Sequence, residues 1–449
     1  MSLPDPSGNF SVKNILKIAI PVMASQAIPI IYCFLDSTLL GKLGTSALAI
    51  SYIASTAWTP ITEFLDGLRV GTSIFTTRFI GGNKSEDVSK TLNIGLFAAF
   101  LIGGLVLISA GFISKISFSM SGASAFKEVG SQYLYIYLLS APFAIIQFVT
   151  VGFFTGLKDT VTPFFLTGVT YFFSIFLEYI FLYGKFGCPK LGLMGAVFST
   201  LIAYVIGALL SIVFLIRSKS TKRYLNLRIP FKSLRYEFAK TSFSLGSYTA
   251  ILSGVWIVFA FIFTAAGQST LAAQQITFNV YAFSYYPLTG FMTATSIIVA
   301  NLVGAKRGDL IYRVIFKIIG LAFFPFLIVN LIMFFNSFSI ATFFSPLDGE
   351  VANFAAASIK VVAVNNILGS IYVALRGAMV GLNESRMLLI SAIIGSCFIF
   401  LPLSYILGIK MGLGSFGGFL AFLIWTIFDC LFFAWRLFIN RGWKRNVES

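Results

Sequence analysis

The 449-residue sequence contains no histidine at all. That absence removes Ser-His and Cys-His nucleophile systems, histidine metal sites and histidine proton relays. Any proton chemistry must run on carboxylates, tyrosines or lysines. Charge is scarce as well: 11% of residues are charged, against roughly 25% in a soluble domain. The four cysteines, Cys33, Cys188, Cys397 and Cys430, form no CxxC or other metal spacing and read as free thiols. Walker and nucleotide-binding motifs are missing, which argues against a built-in ATPase. With no nucleophile–base pair and no ligand cluster at membrane depth, an enzyme is not expected, nor is a cofactor.

What the chain does have is apolar length: 57% of it is hydrophobic. Stretches of about 20 apolar residues or more mark membrane-spanning helices. They fall near 14–41, 46–78, 88–114, 126–155, 161–184 and 191–217, then near 239–266, 270–300, 310–336, 350–379, 385–409 and 413–437. The chain therefore reads as an all-α integral membrane protein with twelve spans. The polar opening "MSLPDPSGNFSVKN" precedes an apolar run too long for a signal-peptide core, so the first span is expected to stay as an anchor.

The net charge is +16. With both termini on one face, 23 of the 32 Lys and Arg fall on that face and 7 on the other. The positive-inside rule places that face, and both termini, in the cytoplasm of a plasma (inner) membrane. The basic stretch over residues 218–238 reads as a cytoplasmic linker able to touch anionic membrane lipid. No recognition motif accompanies the charge, so nucleic acid is not an expected partner.

The sequence repeats itself. "GTSALA" at 44–49 is answered by "GQSTLA" at 267–272, and "GTSIFTTRFIGGNKSED" at 71–87 aligns with "ATSIIVANLVGAKRGDL" from Ala294. "GLKDT" at 156–160 is answered by "GLNES" at 381–385. The offsets stay near one value, so the chain reads as a duplication. Six spans per copy is an even number, so both copies enter the membrane from the same side. They are expected as two parallel six-helix lobes, related by a pseudo-two-fold along the membrane normal. The lobes cover 1–217 and 239–449, joined by 218–238. Two such lobes point to a secondary transporter.

In order and spacing, "IAIPVMASQ", "VGTSIFTTRFIGG", "GLKDTVTP", "FLEYIFLYG", "GLMGAVFST" and "LPLSYILG" resemble the MATE (multidrug and toxic compound extrusion) transporters over essentially the whole chain. "GLRVGTSIF", and the lack of acids in 239–266 and 270–300, look like the DinF-like branch. The resemblance implies the MATE/MOP fold. It also implies cation-coupled efflux by alternating access of amphipathic, often cationic small molecules, with a monomer expected.

Several residues then become candidates. The resemblance makes Pro21, a helix hinge, and Asp36, 15 residues later, a coupling pair. Glu178 stands where the family usually has Asp, and Ser174 where it has Asn. Counting from the outer ends of their helices puts Asp36 and Glu178 at one depth, about 8–9 Å in. Two close acids cannot both ionise cheaply, so one proton can exchange. The same pair with Ser174, Thr200 and the carbonyl of Ala196 offers oxygens to Na⁺; H⁺ is favoured because Glu replaces Asp. Tyr133, with Tyr135 and Tyr137 beside it, either hydrogen-bonds the acids or belongs to an interfacial aromatic belt. Glu63, Asp66 and Arg69 share one helix face and read either as an internal ion pair or as a substrate-cavity wall. Gln274 and Asn279, with Gln275, Asn365 and Asn366, are polar enough to line a cavity in the second lobe. Asp429 and Arg376 read as packing or snorkelling residues. The rival reading is a flippase for lipid or lipid-linked saccharide of the same superfamily, whose cavity would need bases for pyrophosphate.

Overall fold

In lipid a backbone has no water to bond, so each apolar run satisfies its own N–H and C=O groups as a helix. The computed structural model describes residues 11–120, 127–218, 220–225, 232–264, 267–345 and 349–444. The first half holds α1 (Val12–Gly41), α2 (Thr45–Gly81), α3 (Ser85–Met120), α4 (Lys127–Leu139), α5 (Ala141–Gly156), α6 (Val161–Tyr183) and α7 (Leu193–Arg217). The second holds α8 (Lys232–Thr264), α9 (Gln268–Tyr285), α10 (Leu288–Gly304), α11 (Ile311–Phe335), α12 (Ser337–Phe344), α13 (Gly349–Gly381), α14 (Ser385–Ala392), α15 (Leu401–Tyr405) and α16 (Gly414–Ala434).

These helices supply the twelve spans. Ten stretches are long and apolar enough to cross a membrane, with α4 and α5 forming one and α14 to residue 410 another. The pair α9–α10, bent by 43°, makes the eleventh. The twelfth is α2, 37 residues long, with Glu63, Asp66 and Arg69 in its interior. Helix α8 begins at Lys232, inside the basic stretch assigned to the linker. Of that stretch, residues 219 and 226–231 lie outside the described residues, as do the chain ends assigned to the cytoplasm, 1–10 and 445–449.

The duplication seen in the sequence recurs in the backbone. Asn83, Lys158, Lys306 and Asn383 are all left-handed, with φ of 56°, 64°, 57° and 60°. In each turn the next amide bonds back five residues: Lys84 to Phe79, Asp159 to Phe154, Arg307 to Leu302 and Glu384 to Met379, at 2.9–3.0 Å. This is the helix-ending motif that a left-handed residue makes possible. Beyond the turn the two copies diverge. Asp159 caps α6 by accepting from the Val161 and Thr162 amides at 3.2 and 3.1 Å. Glu384 instead takes a forked contact from Arg436, with nitrogen–oxygen distances of 2.9, 2.9 and 3.2 Å.

Two compact units result: residues 24–250, and residues 1–23 with 251–449. Helices α1 and α8 thus each begin in one unit and end in the other, and α1 changes unit at Met23, just after Pro21. Within the 24–250 unit, α2 and α8 pack backbone against backbone. A Cβ on Gly246 would collide with the carbonyl oxygen of Phe64, and one on Gly67 with the backbone of Ser242 and Gly246. In the other unit, Val255, Phe259, Tyr281, Ile359, Phe400, Phe422 and Trp425 pack into one aromatic-rich core. Two π-helical stretches, Ile393–Phe400 and Ile406–Lys410, interrupt the span that comes after α13, and a third, Trp435–Asn440, ends the last. Such wide turns are rare and usually local.

Candidate functional site

The acids come from two helices of the 24–250 unit. Helix α1 runs unbroken through Pro21 and Pro29 to carry Asp36 near its end. A proline cannot donate the helical bond to the carbonyl four residues back, so α1 has two points of weakened hydrogen bonding. Helix α6 carries Ser174 and Glu178 one turn apart on its buried face.

The carboxyl groups of Asp36 and Glu178 are brought together and interact directly. Glu178 is fully buried. Among the described residues neither of its oxygens meets a hydroxyl, amide or cationic donor. Two ionised carboxylates are acceptors only, so a hydrogen bond between these groups requires a proton on one of them. Burying both as bare charges would cost several kcal/mol per ion.

One helical turn inward lies a triangle of hydroxyls. Ser174 Oγ, Thr200 Oγ1 and Tyr32 OH stand 3.4 Å apart on all three edges. Hydroxyl pairs usually close to about 2.7–2.8 Å, so the triangle is loose. Thr200 also donates to the Ala196 carbonyl at 3.1 Å, and Ser199 does so at 2.6 Å. Ser174, Thr200 and Ala196 therefore gather beside the acids.

Aromatic rings close the site. Tyr133 is buried next to Ser51 and feels the charge of both acids. Its ring packs edge-on against Tyr137, which stacks on Trp58 at 5.0 Å. Tyr171 packs on Tyr32 at 4.9 Å and its hydroxyl meets that of Tyr204. Tyr135 points the other way and is exposed. Sequence reasoning missed Tyr32, Tyr171, Tyr204 and Trp58. A signal existed for Tyr32, which lies four residues before Asp36 and so shares its helix face.

Other candidates stand elsewhere. On α2, Arg69 forks onto both carboxylate oxygens of Asp66, with Nη2 to Oδ2 at 2.8 Å. Glu63 is close enough to act on Arg69 electrostatically, and its backbone carbonyl accepts from Thr249 at 2.7 Å. In the unit of residues 1–23 and 251–449, Gln274 is buried and its side-chain oxygen has no partner among the described residues. Asn279 is exposed and contacts Gln275 at 3.4 Å. Asn366 donates to Ser284 at 2.6 Å. Asp429 is buried and accepts from Ser391 at 2.6 Å.

The comparisons with known proteins fit this architecture. Residues 21–180 and 246–406 each match the MatE family, so the match repeats as the sequence does. The "Probable multidrug resistance protein NorM" of Bacillus anthracis is 25% identical over 432 residues, covering 95% of both chains. That of Listeria monocytogenes serotype 4b is 28% identical over 420 residues, covering 90% of this chain and 89% of the relative. Among solved structures, a MATE protein in a straight conformation superimposes with a TM-score of 0.87 at 20% identity, over 96% of this chain and 97% of that one. A bent conformation gives 0.87 at 19% identity, over 97% of both. At such identities the structures establish the fold, and the paired family match establishes membership. This chain is a multi-pass membrane protein that belongs to the MatE family of transporters, and it is not an enzyme.

Proposed function

We propose that this protein is a proton-coupled antiporter that exports amphipathic, often cationic organic molecules by alternating access. It would act as a monomer in the plasma (inner) membrane, with both termini cytoplasmic, and belong to the DinF-like branch. The observation that carries the reading is the approach of Asp36 to Glu178, a fully buried acid whose oxygens meet no hydroxyl, amide or cationic donor among the described residues. Such a pair changes its demand for water and for hydrogen bonds each time a proton arrives or leaves. Asp36 lies on the same helix as Pro21, and α1 changes structural unit beside that proline. Protons from outside reach the pair, α1 bends near Pro21, and substrate leaves outward. The empty protein returns inward and releases the proton to the cytoplasm.

In this scheme Tyr133, Ser174, Thr200 and Ala196 surround the coupling acids. Glu63, Asp66 and Arg69 in one lobe, and Gln274 and Asn279 in the other, contact substrate. Relatives named as multidrug resistance proteins support the substrate class. Na⁺ is a second reading, favoured by the loose hydroxyl triangle, whose oxygens have lone pairs free to turn toward a cation. A flippase for pyrophosphate-linked lipids is disfavoured because Arg69 is already held by Asp66.

The test is export of a fluorescent organic cation from proteoliposomes under a pH gradient and a Na⁺ gradient imposed separately. Export driven by the pH gradient alone, and lost in Asp36→Asn, is the expected result. Export driven by Na⁺ alone would replace H⁺ with Na⁺, and full activity of the variant would end the acid-pair scheme.

A further inference from the structure

Helices α5, α6 and α7 meet at a second buried polar node, one turn of α6 before Ser174. Gln147 on α5 and Thr170 on α6 are both buried. Gln147 Nε2 donates to Thr170 Oγ1 at 2.8 Å and to the Leu166 carbonyl at 3.3 Å. Thr170 Oγ1 donates its own hydrogen to the same carbonyl at 2.9 Å. A side chain of α5 thus grips both a side chain and the backbone of α6 in mid-span. Helix α7 closes the node from a third side. A Cβ on Gly207 would collide with Thr170 Oγ1 and stand 2.9 Å from Gln147 Oε1.

A buried amide or hydroxyl left without its partner costs free energy. Turning α6 by one residue would rotate it 100° and take Thr170 Oγ1 and the Leu166 carbonyl away from Gln147. The node therefore selects one register for α6. Along that helix Leu166, Thr170, Ser174 and Glu178 follow every four residues on one buried face, each a neighbour of the next. On α7, Thr200 stands seven residues before Gly207, two turns away, and so shares its face. The two helices therefore mate twice, Gly207 against Thr170 and Thr200 Oγ1 toward Ser174 Oγ at 3.4 Å. The first contact is close and directional, the second loose. The register of α6 is set by the node rather than by the hydroxyl triangle beside the acids.

We propose that Gln147, Thr170 and Gly207 are positioning residues of the coupling site: they fix the rotation and height of α6 so that Ser174 and Glu178 face Thr200 and Asp36. They touch neither ion nor substrate. An α6 free to turn would carry Glu178 away from Asp36, and two separated acids take up protons independently. A fixed number of protons per cycle requires a fixed spacing of the pair, and the node supplies it. This rests on the proton-coupled reading above, but its structural part is measurable without transport.

The experiment uses the full chain with its four cysteines replaced. Gln147→Met, Thr170→Val and Gly207→Ala break the node from its three helices, and Thr170→Ser keeps the hydroxyl. Thr150→Val on α5 and Ser211→Ala on α7 are the controls, since each deletes a buried hydroxyl that has no partner among the described residues. Spin labels are placed through Phe100→Cys on α3 and Phe172→Cys on α6, both exposed positions, and their separation is measured in lipid nanodiscs. The parent, Thr170→Ser and both controls should give one narrow distance, and the three node variants a second population. In proteoliposomes, protons moved per fluorescent organic cation exported are counted. This ratio is insensitive to how much of the protein is active, so a node that only supported the fold would leave it unchanged. It should fall to about half or less in the node variants, whose acids are no longer held as a pair, and stay at the parent value in Thr170→Ser. Distances that superimpose on the parent in all three node variants would overturn the proposal, as would an unchanged ratio or an equal effect in the controls. Should Gly207→Ala fail to fold, Thr170→Val, nearly the shape of threonine, decides the matter. A parent that moves no protons would end the proton reading instead, and the distances would then decide this one.

Discussion

Replacing Asp36 by Asn should abolish the response of transport to a pH gradient, and the size of the parent response can be worked out from the site. The approach of Asp36 to Glu178 makes double ionisation of the buried pair costly, so the scheme keeps one proton on the pair and has one further proton taken up and lost per cycle. One proton crossing a gradient of one pH unit supplies about 1.4 kcal/mol, a tenfold accumulation of substrate. Two protons would supply a hundredfold. The membrane potential adds about 2.3 kcal/mol per 100 mV for each net charge moved. It cancels when a monovalent cation leaves against one entering proton. The assay is the steady-state ratio of a fluorescent monovalent cation across proteoliposomes, with the potential clamped and the pH gradient varied. The logarithm of the ratio should rise with a slope of one for the parent and zero for Asp36→Asn. The carboxamide still hydrogen-bonds Glu178 but releases no proton, so the variant should fold normally. An unchanged slope in Asp36→Asn would refute the role of the acid, and a parent slope of two would refute the retained proton.

Three further outcomes test the structure around the site. Lys158, in the turn between α5 and α6, has its ammonium pushed down to about 8 by burial. The folded state therefore binds fewer protons than the unfolded chain above pH 8, so stability should rise between pH 8 and about 10.4; the thermal midpoint should show this rise and Lys158→Gln should flatten it. Glu384 and Arg436 are 8% and 15% exposed at the side chain, and removing one partner of such a pair costs about 3–5 kcal/mol. Glu384→Ala should thus lower the unfolding midpoint sharply, and the double variant with Arg436→Leu should recover part of the loss. Gly246→Ala drives a methyl into the Phe64 carbonyl and should destabilise by about 1–3 kcal/mol, read as a lower midpoint in detergent.

How much of this was legible in the sequence depends on the feature. The spans were, because apolar length is itself the physical requirement for crossing lipid. The approach of Asp36 to Glu178 was suggested by counting residues to two helix ends, which works because the helical rise is fixed. The Asp66–Arg69 contact could be had from spacing alone. The breaks in the fourth and eighth spans were not legible. Pro142 and Pro287 mark them only in hindsight, since Pro60 and Pro325 sit inside helices that continue. The π-helical turns left no compositional trace; in the first of them Gly395 lies so close to the Trp425 indole that a Cβ there would collide with it, a tertiary contact that local propensity does not reveal. Tyr32 was overlooked because tyrosine is common at span ends; its spacing of four residues before Asp36 hinted at a shared face, and its place beside Ser174 and Thr200 sets it apart in the structure.

The packing of residues 11–23 has a consequence for biogenesis. They are synthesised well before their packing partners, which begin at residue 251. At about 5–20 residues per second, the opening of α1 waits roughly ten seconds or more in the bilayer before that surface exists. During this interval Lys13, Lys17 and the exposed Ile20 have only lipid and translocon for company. A chain terminated anywhere before α8 strands that segment, so such fragments should be preferred targets of membrane quality-control proteases.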